Sequence, residues 1–178
     1  MEDKKSIRSE VRRRIKLMSE QDKRMAAKTI FKTIEATAEF RSAKCVALFA
    51  SMHDEVPTDE ALEHWRLQGK RVVVPRVEGD IMRYYDYSPD QMIDGAFGIM
   101  EPVGDVEVEP SAIDLMIVPA RAFTPRGERL GRGGGFYDKY MSHSEFRATT
   151  FGIAFASQIF DTLPTDPHDI AVDRLFSA

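Results

Sequence analysis

The sequence predicts one α/β domain in which a mainly parallel, twisted sheet is flanked by helices. Short continuous apolar runs at residues 45–49, 72–74, 113–118 and 151–155 have the pattern of strands buried on both faces. Helical or turn-like segments separate these runs, as crossover connections require. The length, 178 residues at 43% hydrophobic and 30% charged, suits one core, and no repeat, low-complexity tract or linker divides it.

The elements follow in chain order. Ile7, Val11, Ile15 and Met18 recur at helical spacing, so the first helix has an apolar stripe that must dock on the body of the protein. Ser19 is placed to cap a second helix, with Met25, Ile30, Phe31 and Ile34 on one side, fading near Glu39. After the first apolar run, Thr58 is a candidate N-cap, Ala61, Leu62 and Trp65 supply a buried face, and Gly69 ends the helix. Together with the run at 72–74 this is a β-α-β unit. Residues 81–87 alternate less cleanly and read as an edge or antiparallel strand, and Ser88-Pro89 starts a short helical turn. Residues 94–112 contain three Gly and two Pro without a sustained period and read as a long connection.

Composition narrows the function classes. No apolar run reaches the roughly 18 residues of a membrane span, and the charged N-terminus has no signal-peptide core. Cys45 is the only cysteine, which fits a reducing compartment, and a cytoplasmic protein is expected. Within an apolar run, Cys45 reads as a structural thiol. Residues 1–16 carry seven Lys/Arg against three Asp/Glu, a local +4 in a chain of net −4. Because these charges decorate a helix, a solvated face is expected rather than a nucleic-acid arm. His53, His64, His143 and His168 are scattered and fit no metal spacing.

The chemistry concentrates after the run at 113–118. Between Gly127 and Asp138 the chain reads Gly-Glu-Arg-Leu-Gly-Arg-Gly-Gly-Gly-Phe-Tyr-Asp, with four of the loop's five glycines at positions 131–135. Such glycines let backbone N–H groups converge on phosphate without Cβ interference, and Phe136 begins a short helix whose N-terminus favours anions. Arg126, Arg129 and Arg132 add donors suited to phosphate oxygens. A loop placed after a buried strand lies where open α/β sheets bind ligands. It is not a Walker A loop, and Phe136 stands where G-x-G-x-x-G needs its third glycine. An acid beside phosphates calls for a divalent ion, so Asp138, with Asp173 as a second carboxylate, is a candidate Mg²⁺ site.

This segment closely resembles the G-x-R-L-G-x-G-G-G-Y-Y-D signature of the 5-formyltetrahydrofolate cyclo-ligase family. Supporting similarity lies in Lys4-Lys-Ser-Ile-Arg8, Ser51-Met-His-Asp-Glu55, Gly98-Ile-Met-Glu-Pro102 and His168-Asp-Ile-Ala-Val-Asp173. The resemblance implies a NagB/RpiA/CoA-transferase-like fold and ATP-dependent closure of 5-formyltetrahydrofolate to 5,10-methenyltetrahydrofolate. It implies ATP contacts from Lys4, Lys5, Ser6, Ile7 and Arg8, and from Arg129, Leu130, Gly131, Arg132, Gly133, Gly134, Gly135, Phe136 and Tyr137. Ala50, Glu55 and residues 132–136 would meet the folate, Arg132 would act in catalysis, and Asp138 with Asp173 would hold Mg²⁺. One departure stands out: Phe136 replaces the family's first tyrosine, keeping the ring and losing the hydroxyl. A monomer acting on small molecules is expected. Another phosphate-handling α/β enzyme, such as a sugar-phosphate isomerase or acyl transferase, and a non-catalytic folate or nucleotide regulator are the alternatives the fold permits.

Overall fold

The computed structural model describes residues 2–95 and 98–178. Its centre is a six-stranded sheet built from β1 (Cys45–Ala47), β2 (Arg71–Glu78), β3 (Ile81–Asp86), β6 (Leu115–Val118), β9 (Thr149–Ala154) and β10 (Arg174–Ser177). Their order is β10-β9-β6-β1-β2-β3, parallel throughout except for β3, which pairs antiparallel with β2 at the edge. Two small hairpins sit beyond the sheet: β4 (Met92–Asp94) with β5 (Met100–Pro102), and β7 (Ala122–Phe123) with β8 (Arg129–Leu130).

The apolar runs are continuous because both faces of the sheet are covered. Val46, Leu48, Val72, Val74, Leu115 and Ile117 pack on one side with α1 (Lys4–Lys16), α2 (Glu20–Glu35), α3 (Ala38–Ser42) and α4 (Asp59–Leu67). The intervening Cys45, Ala47, Val73, Met116 and Val118 pack on the other, against α5 (Phe136–Met141). This alternation within an all-apolar run is what a doubly covered parallel strand requires. Burial also pushes the Cys45 thiol up to about 11, which keeps it protonated and inert.

The helices obey their local signals with three differences. Ile7, Val11 and Ile15 are buried as their spacing demands, and Ser19 closes a reciprocal capping box with Asp22. Met25, expected on the buried side of α2, is 62% exposed, and Ala26 and Ala27 take that role. α2 ends at Glu35, and Thr37 caps a separate helix that accounts for the signal extending toward Glu39. Thr58 occupies the N-cap position of α4 but makes no cap bond. Its buried hydroxyl instead donates to Phe49 O and accepts from Ser51 N, tying the chain leaving β1 to the start of α4.

The connection at 94–112 is shorter than its composition implied, because β4 and β5 pair within it; residues 96 and 97 lie outside the described residues. The strand β10 and the β7–β8 hairpin carry no sequence signal of their own and exist through pairing. Pro75 is accommodated in β2 because the pairing with β1 stops at Val73, so its missing N–H faces a strand edge. Among the described residues no helix is long and apolar enough to cross a membrane.

Candidate active site

Strand order creates the site. From β1 the chain crosses to β2 on one side, whereas β6, the other neighbour of β1, leads on to β9. Neighbouring strands whose connections diverge leave a crevice beyond their C-terminal ends, the usual ligand position in open α/β sheets. A cavity of about 560 Å³ lies there, within the range of small-molecule sites. Phe49, Ala50, Met52 and Glu55 follow β1, Pro119 and Ala120 follow β6, Pro75, Val77 and Met82 come from the β2–β3 ribbon, and Ile99 and Glu101 come from the β4–β5 hairpin. The remaining wall is residues 131–138 with Arg129. An apolar surface with a few convergent charges suits a flat heteroaromatic ligand.

The glycine loop has the geometry of an anion cradle. Among the described residues, the amides of Gly131 through Gly135 donate to no protein acceptor. Gly133 at φ +119 and Gly135 at φ +71 turn the loop through backbone conformations that side chains with a Cβ rarely adopt. The loop is held from beneath: Arg8 Nε of α1 donates to Gly131 O at 2.9 Å, and Arg129 Nη1 meets Asp138 Oδ1 at 3.0 Å.

The three loop arginines divide their tasks. Arg126 pairs with Glu128 and donates to Asp161 O, out on the surface. Arg129 is 4% exposed and its charge is matched by Asp138, so it fixes the loop's base. Arg132 alone stands at the mouth, 40% exposed, at 2.7 Å from Asp54 Oδ1 and 3.7 Å from Glu55 Oε2.

Glu55 is an acid whose burial outweighs its partners. Burial raises its pKa, opposed by a hydrogen bond from Met52 N at 2.8 Å and by the charge of Arg132. Asp54, next in the chain, is held below the usual carboxylate range: burial opposes ionisation, but the Arg132 hydrogen bond and the charges of Arg121 and Arg132 outweigh it. Burial also keeps the hydroxyl of Tyr137, a lining residue, protonated.

The other expected ligands are placed unevenly. Lys4 is paired with Asp166 and Asp169, Lys5 and Ser6 lie in an open groove beside Phe160 and Asp161, and Ile7 and Leu130 are buried in the core. Asp138 lines the cavity, its Oδ1 accepting from Arg129 and Ile170 N. Asp173 does not line it; its carboxylate accepts from Thr150 N at the start of β9. Among the described residues no three His, Cys, Asp or Glu gather as a metal site. Of the two carboxylates expected at Mg²⁺, Asp138 thus lines the cavity, while Asp173 is engaged with Thr150 at the start of β9 through its backbone N–H and Oδ2. Asp54 and Arg121 were not legible as site residues. The available signal was an arginine three residues past a buried strand and an acid directly before Glu55.

The whole chain has relatives. A 5,10-methenyltetrahydrofolate synthetase from Aquifex aeolicus, solved by NMR, superposes with a TM-score of 0.86 at 34% identity, covering 98% of this chain and 89% of that one. The 5-formyltetrahydrofolate cyclo-ligase of Haemophilus influenzae is 30% identical over 94% of this chain and 93% of its own length, and that of Mus musculus is 29% identical over 97% and 92%. The switch-point cavity, the open glycine amides and a family model matched along residues 1–177 agree, and the chain belongs to the 5-formyltetrahydrofolate cyclo-ligase family.

Proposed function

We propose that the chain carries out its family's reaction, converting 5-formyltetrahydrofolate and ATP to 5,10-methenyltetrahydrofolate, ADP and phosphate, by phosphorylating the formyl oxygen in this cavity. The observation that carries the mechanism is the run of glycine-loop amides without protein acceptors, which faces the same cavity as buried Glu55. An N-formyl group is an amide, so its carbonyl is a weak electrophile and its oxygen a poor leaving group. Transfer of the γ-phosphoryl group to that oxygen gives an N5-iminium phosphate and ADP. N10 then attacks the formyl carbon, loses its proton, and phosphate departs with the C–O bond.

Phosphoryl transfer asks mainly for positioning and charge stabilisation. The amides of residues 131–135 and the guanidinium of Arg132 serve the moving phosphoryl group. The apolar wall of Phe49, Pro75, Val77, Met82 and Phe136 takes the pterin, with Glu55 accepting its N–H groups. Phe136 retains the stacking surface, so the missing hydroxyl is not required for this role. Arg8 acts through the loop it anchors. Mg²⁺ would be held by Asp138 and the triphosphate, with Asp173 as the second candidate carboxylate, since this ion commonly uses one or two carboxylates plus phosphates, and it would neutralise phosphate charge. Action as a monomer is part of the proposal. Three of the basic residues of α1 are paired with acids, Arg13 and Arg14 with Glu10 and Lys4 with Asp166, which supports small-molecule rather than nucleic-acid partners. The cytoplasm, with its ATP supply, is the proposed compartment.

The test is spectroscopic. With 5-formyltetrahydrofolate, ATP and Mg²⁺, the near-ultraviolet band of the methenyl product should grow as ADP forms, and no band would sink the reading. Arg132→Ala should lower kcat about 100-fold, the usual loss of one transition-state donor, without altering the melting temperature.

A further inference from the structure

Arg132 does not face its cavity unopposed. Asp54 accepts from its Nη2 at 2.7 Å and from its Nη1 at 3.4 Å, so the proposed phosphoryl ligand rests on a carboxylate. A second arginine lies behind that carboxylate. Arg121, directly after Pro119 and Ala120 at the end of β6, is 5% exposed, and its Nη1 stands 3.2 Å from Asp54 Oδ2. That contact is one of charge alone, because Nη1 of Arg121 is buried without a hydrogen-bond partner. The Arg121 backbone is rigid: its N–H donates to Leu130 O at 2.7 Å, and Gln158 Nε2 donates to its carbonyl. One carboxylate therefore serves two guanidiniums, one buried behind it and the other exposed at the mouth. Buried N–H groups almost always find an acceptor, so an orphan beside a carboxylate calls for an explanation.

We propose that Arg121 is a positioning residue for the reaction, the second seat of Asp54. When the triphosphate draws Arg132 onto its γ-phosphoryl oxygens, Asp54 turns fully onto Arg121. The carboxylate keeps a counter-charge and the orphan N–H gains its acceptor, so Arg132 leaves Asp54 without stranding a buried ion. In the absence of nucleotide, Asp54 holds Arg132 beside Glu55, ready at the mouth. No covalent step is added, and Arg121 never touches substrate. The inference rests on the reading of Arg132 as a phosphoryl ligand.

The exchange is measurable as a split between KM and kcat with ATP as the varied substrate. Arg121→Leu leaves Asp54 with Arg132 as its only partner. KM for ATP should rise about tenfold while kcat at saturating ATP stays within about threefold, the scale expected for directly coupled charges. Adding Asp54→Asn removes the carboxylate that holds Arg132, so the double variant should return to within about threefold of the KM of Asp54→Asn alone. Arg121→Lys, which restores the charge, should recover most of the affinity. A purely structural Arg121 would not be rescued by a second substitution. An unchanged KM in Arg121→Leu, or a double variant as impaired as Arg121→Leu alone, overturns the proposal. If Arg121→Leu does not fold, the double variant, which buries no lone ion, is compared with Asp54→Asn: a KM more than about tenfold higher then refutes the exchange. A wild-type enzyme that forms no methenyl product would instead remove the reaction itself.

Discussion

Glu55, the proposed pterin ligand, sits in the cavity at the expense of stability. Its carboxylate is buried at 11% exposure, and burial lifts its pKa above the ordinary 4.5. A carboxyl raised in the folded state releases its proton later than in the unfolded chain, so the unfolded chain binds fewer protons and stability falls as pH rises. The loss begins near the unfolded value and continues until pH passes the raised folded value. Glu55→Gln removes that titration while keeping an acceptor for Met52 N. The variant should therefore gain melting temperature relative to wild type as pH climbs from 4 to 7, and lose folate turnover at the same time. Parallel melting curves across that range would show that the site does not strain Glu55. The acid was singled out only by the family resemblance, and its burial was not legible, because the wall above it comes from β2, β3 and the β4–β5 hairpin.

At the scale of elements, α1 and the glycine loop act as one unit. The buried stripe of Ile7, Val11 and Ile15 docks the helix on the core, and this docking brings Arg8 under Gly131. A charged hydrogen bond of this kind contributes about 1.5–3 kcal/mol. Arg8→Ala should raise KM for ATP about tenfold, from the order lost in the loop, while KM for the folate moves little. Equal effects on both substrates would assign Arg8 to the fold rather than to the nucleotide. The basic character of α1 was legible, yet its task was not: Lys4 reaches acids at 166 and 169, and Arg8 reaches a carbonyl 123 residues away. Likewise, three arginines in one loop look equivalent in sequence. Only packing distinguishes Arg126 on the surface, Arg129 in the floor and Arg132 at the mouth.

At the scale of the molecule, the cavity draws on β1, β2, β3, β5, the chain after β6 and α5, so ligand binding and global stability are linked. Nucleotide with Mg²⁺ at about 100 times Kd should stabilise the folded state by about 2.7 kcal/mol. For a chain of this size that is a rise of about 5–10 °C in melting temperature. Thermal denaturation with and without ADP and Mg²⁺ tests it, and no shift at saturating ligand would remove the nucleotide from this cavity. Family membership closes the alternatives that the fold alone left open, a sugar-phosphate isomerase, an acyl transferase or a non-catalytic regulator.

Local pattern by itself determined the doubly covered strands, the capped amphipathic helices and the glycine loop, because side-chain periodicity and backbone freedom are written in neighbouring residues. The signature between Gly127 and Asp138, with its supporting stretches, determined the family. Pairing decided the rest. β10 and the β7–β8 hairpin form only because partners present their edges, and that pairing takes Asp173 to Thr150 and away from the cavity that Asp138 lines. Strand order placed Arg121, Asp54, Glu55 and Arg132 around one crevice from two stretches some 70 residues apart. Charges so distant in sequence leave no joint trace in it, and only tertiary structure shows that they share one carboxylate.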